Sequence, residues 1–504
     1  MTVIAALLFP GWELLDVQGP YAVLAKAAAL SNQTASPSQQ PRFVVVAETT
    51  AKPVHSSAHF PVLADYDYKS CPQVDLLLIP GGPGTLHYAR DSALLTFVRK
   101  QSEAATYVAS ICTGSSILAE AGLLARRKAT TNKALYSMQT QYGGGAIEWI
   151  HKARYVVDGK FMTASGVSAG LDLGFELARL LFGDGAAQKV ANATGYTPLS
   201  DGEDPFATLH KKGGGLGSAL YFHAAELLAT SITKQGTDSL GKPYFTPLGA
   251  PPLPFPPFTI ARPHAVTVFL LPGFDALDIA MIGEACFGLE RSHKMELVAV
   301  GHNEAGKDEE IDKDRLIVGG GDATSSAISP FARIVRVQCD RSVNNRTAVF
   351  PQSQTPQVGG KAPAAGAGLF SSGTSSSNVV ILPSVPESKT TDIFANPDSP
   401  PAVILQAIMD AKTNNSGATV LACGDLFAYK LRELGVVDDQ AIKAYESDSR
   451  WGRAGTCFIA KSGVTAVTPM LTIVNEQAGL AATKSAAMKL EICPRLLPEG
   501  VVLS

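Results

Sequence analysis

In ATYVASICTGSSILAEAGLL a cysteine ends an apolar run, and a helix-forming stretch follows at once. Strand, tight turn and helix in that order present a nucleophile, with Cys112 held out of the sheet on a strained turn. The N-terminus of the following helix would favour a thiolate and lower its pKa. The amide of Thr113 would point towards a developing oxyanion. A structural cysteine buried at a strand end fits the same string, because cysteine is among the most buried residue types. Asp16, in GWELLDVQGP, lies just past the first apolar run and so near the same end of a sheet. There a carboxyl could exchange a proton with the sulfur or its substrate, although aspartate before a helix also serves as an N-cap. A carboxylate beside a thiolate is repulsive, so the pair is expected to share a proton and titrate jointly. PGGPG at 80–84 follows the run DLLLI, and Gly81 and Gly82 could bring a second amide to an oxyanion; such strings are also ordinary turns.

Other chemistry finds less support. None of the nine histidines has a metal-ligand spacing with cysteine or carboxylate, and none directly follows Cys112. His87 follows the PGG loop and reads as a surface residue. No GxGxxG fingerprint and no P-loop occur, so no cofactor and no metal are expected. KKGGGLGSAL (211–220) has no apolar strand before it and reads as a flexible loop.

Positioning Asp16, the PGG loop and Cys112 requires three strand ends. TVIAALLF, RFVVVAE, DLLLIPGG, TYVASIC and KFMTASG read as strands. VQGPYAVLAKAAAL, SALLTFVRKQSEA, SSILAEAGLL and AGLDLGFELARLLFG read as helices between or after them. Continuous apolar strands interleaved with amphipathic helices imply an α/β fold, a mostly parallel sheet covered on both faces. Ligands then bind beyond the carboxyl ends of the strands.

The arrangement recurs. LLFPGWELLD (7–16) aligns with FLLPGFDALD (269–278), VDLLLIPGGPG (74–84) with NVVILPSVPES (378–388), and TASGVSAGLDLG (163–174) with AKSGVTAVTPML (460–471). The order is kept, which implies a tandem duplication. Three segments are expected: a catalytic domain at 1–199, an extension and Pro-rich linker at 200–262, and a second, degenerate domain at 263–504. A low-complexity insertion near 351–378 accounts for the larger offsets in the second copy. SNQTASPSQQP (31–41) reads as a surface loop.

Composition narrows the function classes. The chain has 504 residues, 46% of them hydrophobic and 17% charged, and a net charge of −3, which leaves ample material for cores and no basic footprint for nucleic acid or an anionic membrane. Seven scattered cysteines are too few for a disulfide scaffold and fit a reducing compartment. MTVIAALLFPGW has no basic n-region and stops at Pro10-Gly11, and a similar string recurs at 264–274, so it reads as a strand and not a signal peptide. A cytoplasmic protein acting on a small molecule, with no nucleic-acid or membrane partner, is expected.

Taken together, LLD-x-x-GP (Leu14 to Pro20), the PGG loop, Cys112-Thr113-Gly114, AEAGLL and ASGVSAGLD resemble the ThiJ/PfpI superfamily, with the class I glutamine amidotransferase-like fold. Within it the resemblance is closest to the isocyanide hydratases, and it covers about residues 1–185. It implies two tandem flavodoxin-like three-layer sandwiches and a cysteine hydro-lyase that turns an isocyanide into an N-formamide through a Cys112 thioimidate. Carried over by position, Cys112 is the nucleophile, Asp16 its acidic partner, and Thr113 fixes the site. Gly81, Gly82, Gly114, Gly166 and Val167 would line the oxyanion and substrate positions. Protease-like relatives carry histidine where Thr113 stands, which disfavours a Cys-His peptidase. Relatives often read TTHW after the elbow helix, whereas this chain reads ATTNKAL, with Asn132-Lys133, so the pocket differs. In the second copy Asp278 matches Asp16, PGGPG has become PSVPE, and either Asp425 or, with a gap, Cys423 matches Cys112. That copy is expected to be inactive and to pair with the first as an intramolecular pseudo-dimer; further homo-oligomers are left open. Two other functions fit the same residues: a lyase, cyclase or hydrolase of a specialised metabolite, and a non-enzymatic thiol redox sensor.

Overall fold

The run Val3–Leu7 is buried at every position, as a strand covered on both faces must be, and forms β1. It leads into α1 (Leu14–Ser31). β4 (Leu76–Ile79) and, later, β7 (Phe161–Ala164) are buried throughout as well, whereas β2 (Arg42–Ala47) and β5 (Tyr107–Ile111) are buried except at their starts and the two-residue β3 (Tyr66–Asp67) is half-buried at the edge. The helix α2 (Ser92–Ala104) starts where Asp91 accepts the Leu94 amide at 2.8 Å, a side-chain N-cap. The elbow helix α3 (Ser115–Glu120) is short; α4 (Ala169–Phe182) and α5 (Asp184–Thr194) close the layer.

The sheet order is β6-β7-β5-β4-β1-β2-β3, where β6 (Tyr155–Asp158) is the one antiparallel member and pairs with β7 through Asp158 opposite Phe161. Counting only the long parallel strands, the order is 2-1-3-4-5, the doubly wound flavodoxin-like arrangement. Strand order reverses between β1 and β4, so the crevice at the carboxyl edge opens beside Asp16 and the PGG loop. β6 and α5 were not among the elements expected from sequence.

This computed structural model describes residues 2–31, 41–57, 61–202, 204–208, 264–270, 275–289, 293–300, 332–337, 379–385 and 418–491, with isolated positions between 394 and 409 and near the C-terminus. The Pro-rich 242–258 segment, the 211–220 loop, the 351–378 insertion and most of the 31–41 loop lie outside the described residues. The chain divides into two units, one of residues 1–259 with 488–493 and 503–504, the other of 260–487 with 494–502. Asp204 and Phe206, past the expected 199 boundary, are buried in the first unit, where Ser165 donates to Asp204 at 2.6 Å.

The second unit is also α/β. Its strands are β8 (His264–Leu270), β9 (His293–Val300), β10 (Ala332–Val337), β11 (Val379–Leu382), β12 (Thr419–Cys423), β13 (Trp451–Ala454) and β14 (Cys457–Ala460). Their order is β13-β14-β12-β11-β8-β9-β10, the order of the first sheet strand for strand. Its helices include α6 (Ala276–Ala285), α7 (Asp425–Glu433), α8 (Asp439–Glu446) and α9 (Gly463–Leu490), which is broken at Gly479 and whose last three residues belong to the first unit. Phe269, Leu382, Phe427, Leu431, Tyr445 and Ile459 share one core.

Candidate active site

β5 ends at Ile111, and the next residue, Cys112, has φ 57. A non-glycine residue in the left-handed region costs on the order of 1–3 kcal/mol and needs surroundings that enforce it. A single 3-10 turn, Cys112–Gly114, then passes into α3. Several polar groups clamp this turn. Ser115 donates to the Cys112 carbonyl at 3.2 Å and to Thr131 Oγ1 at 2.7 Å, and Thr131 Oγ1 reaches the same carbonyl at 3.3 Å. A strained strand–turn–helix junction is therefore present at Cys112, with two hydroxyls holding its carbonyl.

Asp16 lies in the first turn of α1 and is fully buried. Its role is not that of an N-cap, because its Oδ2 accepts the Gly81 amide at 2.8 Å from the loop after β4. Gly81 also faces the elbow: a Cβ there would lie 2.6 Å from the Thr113 nitrogen and 2.8 Å from the Cys112 Cβ. One glycine thus touches the acid through its amide and the nucleophile through its α-carbon, and no side chain fits. Gly114 packs as tightly under the same loop, against the Ile79 and Pro80 carbonyls.

The two glycine amides are engaged within the protein, which changes the role expected of them. The Gly81 amide binds Asp16, and the Gly82 amide donates to Thr113 Oγ1 at 3.0 Å. Thr113 Oγ1 lies 2.9 Å from Thr85 Oγ1 and 3.3 Å from the Gly82 carbonyl, so the threonine hydroxyl ties the elbow to the PGG loop. Gly166 and Val167 lie between β7 and α4, and the carboxylate of Glu491, in the 488–493 stretch, fills the space where a Gly166 Cβ would stand. In this arrangement Gly81, Gly82, Gly114 and Gly166 are explained by close approach of other groups before any ligand is considered.

The thiol's electrostatics run against the sequence expectation. Burial pushes the Cys112 pKa well above its usual value, the negative charges of Asp16 and then Glu13 add to the rise, and Glu491 contributes a last increment. The hydrogen bond from the Thr113 amide acts in the opposite direction. A helix N-terminus of one short turn does not outweigh desolvation among carboxylates, so the resting sulfur is a thiol. Asn132 Nδ2 also donates to the sulfur, at 3.2 Å. Sequence reasoning marked Asn132 only as a departure from a motif, and Glu13, Thr85 and Thr131 were not singled out. The residue types carried no signal; only the sequence position of Asn132, where relatives often have histidine, pointed to it. His87, read as a surface residue, stacks edge-on against Tyr88.

The sequence pattern of the DJ-1/PfpI family matches residues 2–180. An isonitrile hydratase from Pseudomonas putida is 35% identical over 195 residues, which are 39% of this chain and 78% of that protein. The chain belongs to the DJ-1/PfpI family. Protein DJ-1 homolog D of Arabidopsis thaliana is 32% identical over 117 residues, 23% of this chain and 29% of its own length. Among solved structures, a ThiJ/PfpI family protein from Pseudomonas syringae shares 29% identity, with 45% of this chain covering 90% of that one at a TM-score of 0.36. The DJ-1/PfpI match falls within the first unit, and the second unit keeps only part of this site. Asp278 Oδ2 accepts the Ser384 amide at 2.8 Å and its hydroxyl at 2.5 Å, while Oδ1 accepts the Gly463 amide at 2.5 Å. Ladder register then fixes what stands at the elbow. Ile79 pairs with Ser110 in the first sheet and Leu382 with Ala422 in the second, and a proline follows each of Ile79 and Leu382. The position of Cys112 is therefore taken by Gly424, neither by Asp425 nor by Cys423. Cys423 ends β12, fully buried, with its pKa raised well above the usual value by burial and then by Asp278 and Asp275.

Proposed function

We propose that the first unit hydrates the terminal carbon of an isocyanide-type substrate to give an N-formamide. The observation that carries this reading is the Gly81 bridge, which sets the Asp16 carboxylate and the Cβ of Cys112 against one backbone unit. The 35% identity to an isonitrile hydratase, over most of that protein's length, supports the choice of substrate class.

The chemistry divides into two steps. First the Cys112 S–H proton passes to Asp16 as the sulfur attacks the electrophilic carbon, a C–S bond forms, and Asp16 returns the proton to that carbon. The product is a thioimidate, R–N=CH–S–Cys112. Asp16 then takes a proton from water as its oxygen attacks the same carbon. Asp16 passes that proton to the nitrogen, the hydroxyl on carbon gives up its own proton through Asp16 to the departing sulfur as the C–S bond breaks and the carbonyl forms, and R–NH–CHO leaves. Overall one water adds to one isocyanide, with no redox change. A buried thiol kept protonated by a neighbouring acid suits this sequence, because each step begins or ends with a proton moving between the two groups.

The redox-sensor alternative is disfavoured, since it needs an exposed, low-pKa thiol and Cys112 is buried with its pKa raised. The test is direct. Purified protein is incubated with a simple aryl isocyanide and the N-formamide is quantified, with Cys112→Ala alongside. Formamide that depends on Cys112 is expected. No formamide, from protein whose Cys112 still alkylates, would overturn the reading in favour of a specialised-metabolite enzyme using the same elbow.

A further inference from the structure

The ATTNKAL segment is the part of the site where this chain leaves its relatives' usual motif, and every polar residue in it is committed. The Thr130 amide donates to Thr163 Oγ1 at 2.8 Å and its hydroxyl to the Ile150 carbonyl at 2.8 Å. Thr131 holds the elbow carbonyl. Lys133, fully buried, donates to Thr130 Oγ1 at 2.7 Å and to the Ala153 carbonyl at 2.8 Å. Between these anchors Asn132 has one freedom left, the sense of its amide. That is fixed too, because Oδ1 accepts the Leu135 amide at 3.0 Å. A backbone N–H cannot be faced by an NH2 group without leaving both unsatisfied, so Nδ2 is the end that meets the sulfur, at 3.2 Å.

We infer that Asn132 is a catalytic residue of this site, a fixed neutral donor that holds the Cys112 sulfur and stabilises it as a thiolate when its proton leaves. The role rests on the proposed use of Cys112 as a nucleophile, but the donor's effect on the sulfur is measurable without any turnover. The charged groups that face this sulfur, Asp16 and Glu13 from the start of α1 and Glu491 from the 488–493 stretch, are all acidic. Only the Thr113 amide and Asn132 donate to it among the described contacts. An imidazole at position 132 could accept the thiol proton; a carboxamide cannot at ordinary pH. The proton is therefore routed to Asp16, and Asn132 contributes hydrogen bonding alone.

The test is the pH profile of Cys112 alkylation by iodoacetamide, followed on the Cys112 peptide by mass spectrometry, for wild type, Asn132→Ser and Asn132→Asp. Serine is short, keeps an acceptor for the Leu135 amide, and removes the donor from the sulfur without adding charge. Aspartate keeps the same acceptor and turns the donor into a charged acceptor. A hydrogen bond to a charged group is worth roughly one to two pKa units. The alkylation midpoint should therefore rise by about that much in Asn132→Ser and further in Asn132→Asp. Alkylation at a fixed pH below the midpoint then falls about tenfold or more. A midpoint unchanged in Asn132→Ser overturns the inference, whether or not its melting temperature changes. Should wild type make no formamide from any isocyanide while the midpoints shift as stated, the substrate assignment fails and the role of Asn132 stands.

Discussion

Cys112 is held between opposing influences: two donors favour its thiolate, while burial and three carboxylates oppose it. The balance makes a separable prediction for Asp16. After burial, its charge is the largest cause of the raised thiol pKa, so neutralising it must lower that pKa. Asp16→Asn keeps an acceptor for the Gly81 amide and removes the charge. The alkylation midpoint of Cys112 should move down, by roughly one unit or more, so alkylation at neutral pH speeds up. Turnover should move the opposite way, falling about a hundredfold or more with the loss of the group that carries the proton. A faster thiol in a slower enzyme is the signature of Asp16 as proton carrier. Parallel loss of both would make Asp16 a structural residue, measured by the same alkylation assay beside a formamide assay.

At the scale of elements, the segment between α3 and β6 brings a lysine into the interior. Burial lowers the Lys133 pKa to about 8, with the charges of Asp204 and then Glu491 working against that fall; its ammonium lies 4.0 Å from Asp204. A lysine that loses its proton more readily folded than unfolded makes the unfolded state the greater proton binder between pH 8 and about 10.5. This group's contribution to stability therefore rises with pH through that window and is flat below it. Buried thiols work in the opposite direction over the same range, so the quantity to measure is a difference. The stability of wild type minus that of Lys133→Met, from urea unfolding at pH 7, 8, 9 and 10, should be level to pH 8 and then climb. The gain is a few kcal/mol at most, at about 1.4 kcal/mol per pKa unit. The elements that carry the site were legible because glycine and proline punctuate continuous apolar runs: α2 was read as Ser92–Ala104, residue for residue. β6 is not legible although Asp158-Gly159 is a hairpin signal, because YVVD is only four residues long. Asn132 was legible as an oddity but not as a donor, since its partner lies 20 residues away across a loop whose path no local pattern dictates.

For the whole molecule, two sheets of the same strand order present a thiol at one elbow only, and both backbone and space keep a side chain from the other, where Gly424 has φ 88. Where the first unit has Gly81 facing Cys112, the second has Ser384 facing Gly424, and a Cβ at 424 would lie 2.9 Å from the Ser384 Cβ. Each loop admits one side chain at that contact: that of Cys112 in the first unit, and in the second a serine whose hydroxyl caps Asp278. The sequence alignment of the two halves leaves the elbow position open, because Cys423, Gly424 and Asp425 are consecutive and only the ladder register separates them. On the proposed function, Cys112 is the thiol expected to react. Whole-chain mass spectrometry of protein quenched during turnover should show a single added isocyanide, located on the Cys112 peptide. Cys423→Ala should retain turnover and Cys112→Ala should lose it. Gly424→Cys alone puts a side chain on a φ 88 backbone and forces it into the space Ser384 holds, and the collision should cost on the order of 1–3 kcal/mol beyond the backbone strain. Combining it with Ser384→Gly removes that collision, so a double-mutant cycle should return a favourable coupling of about 1 kcal/mol or more. An adduct on Cys423, or turnover that survives Cys112→Ala, would mean that the second unit carries chemistry its elbow glycine cannot supply.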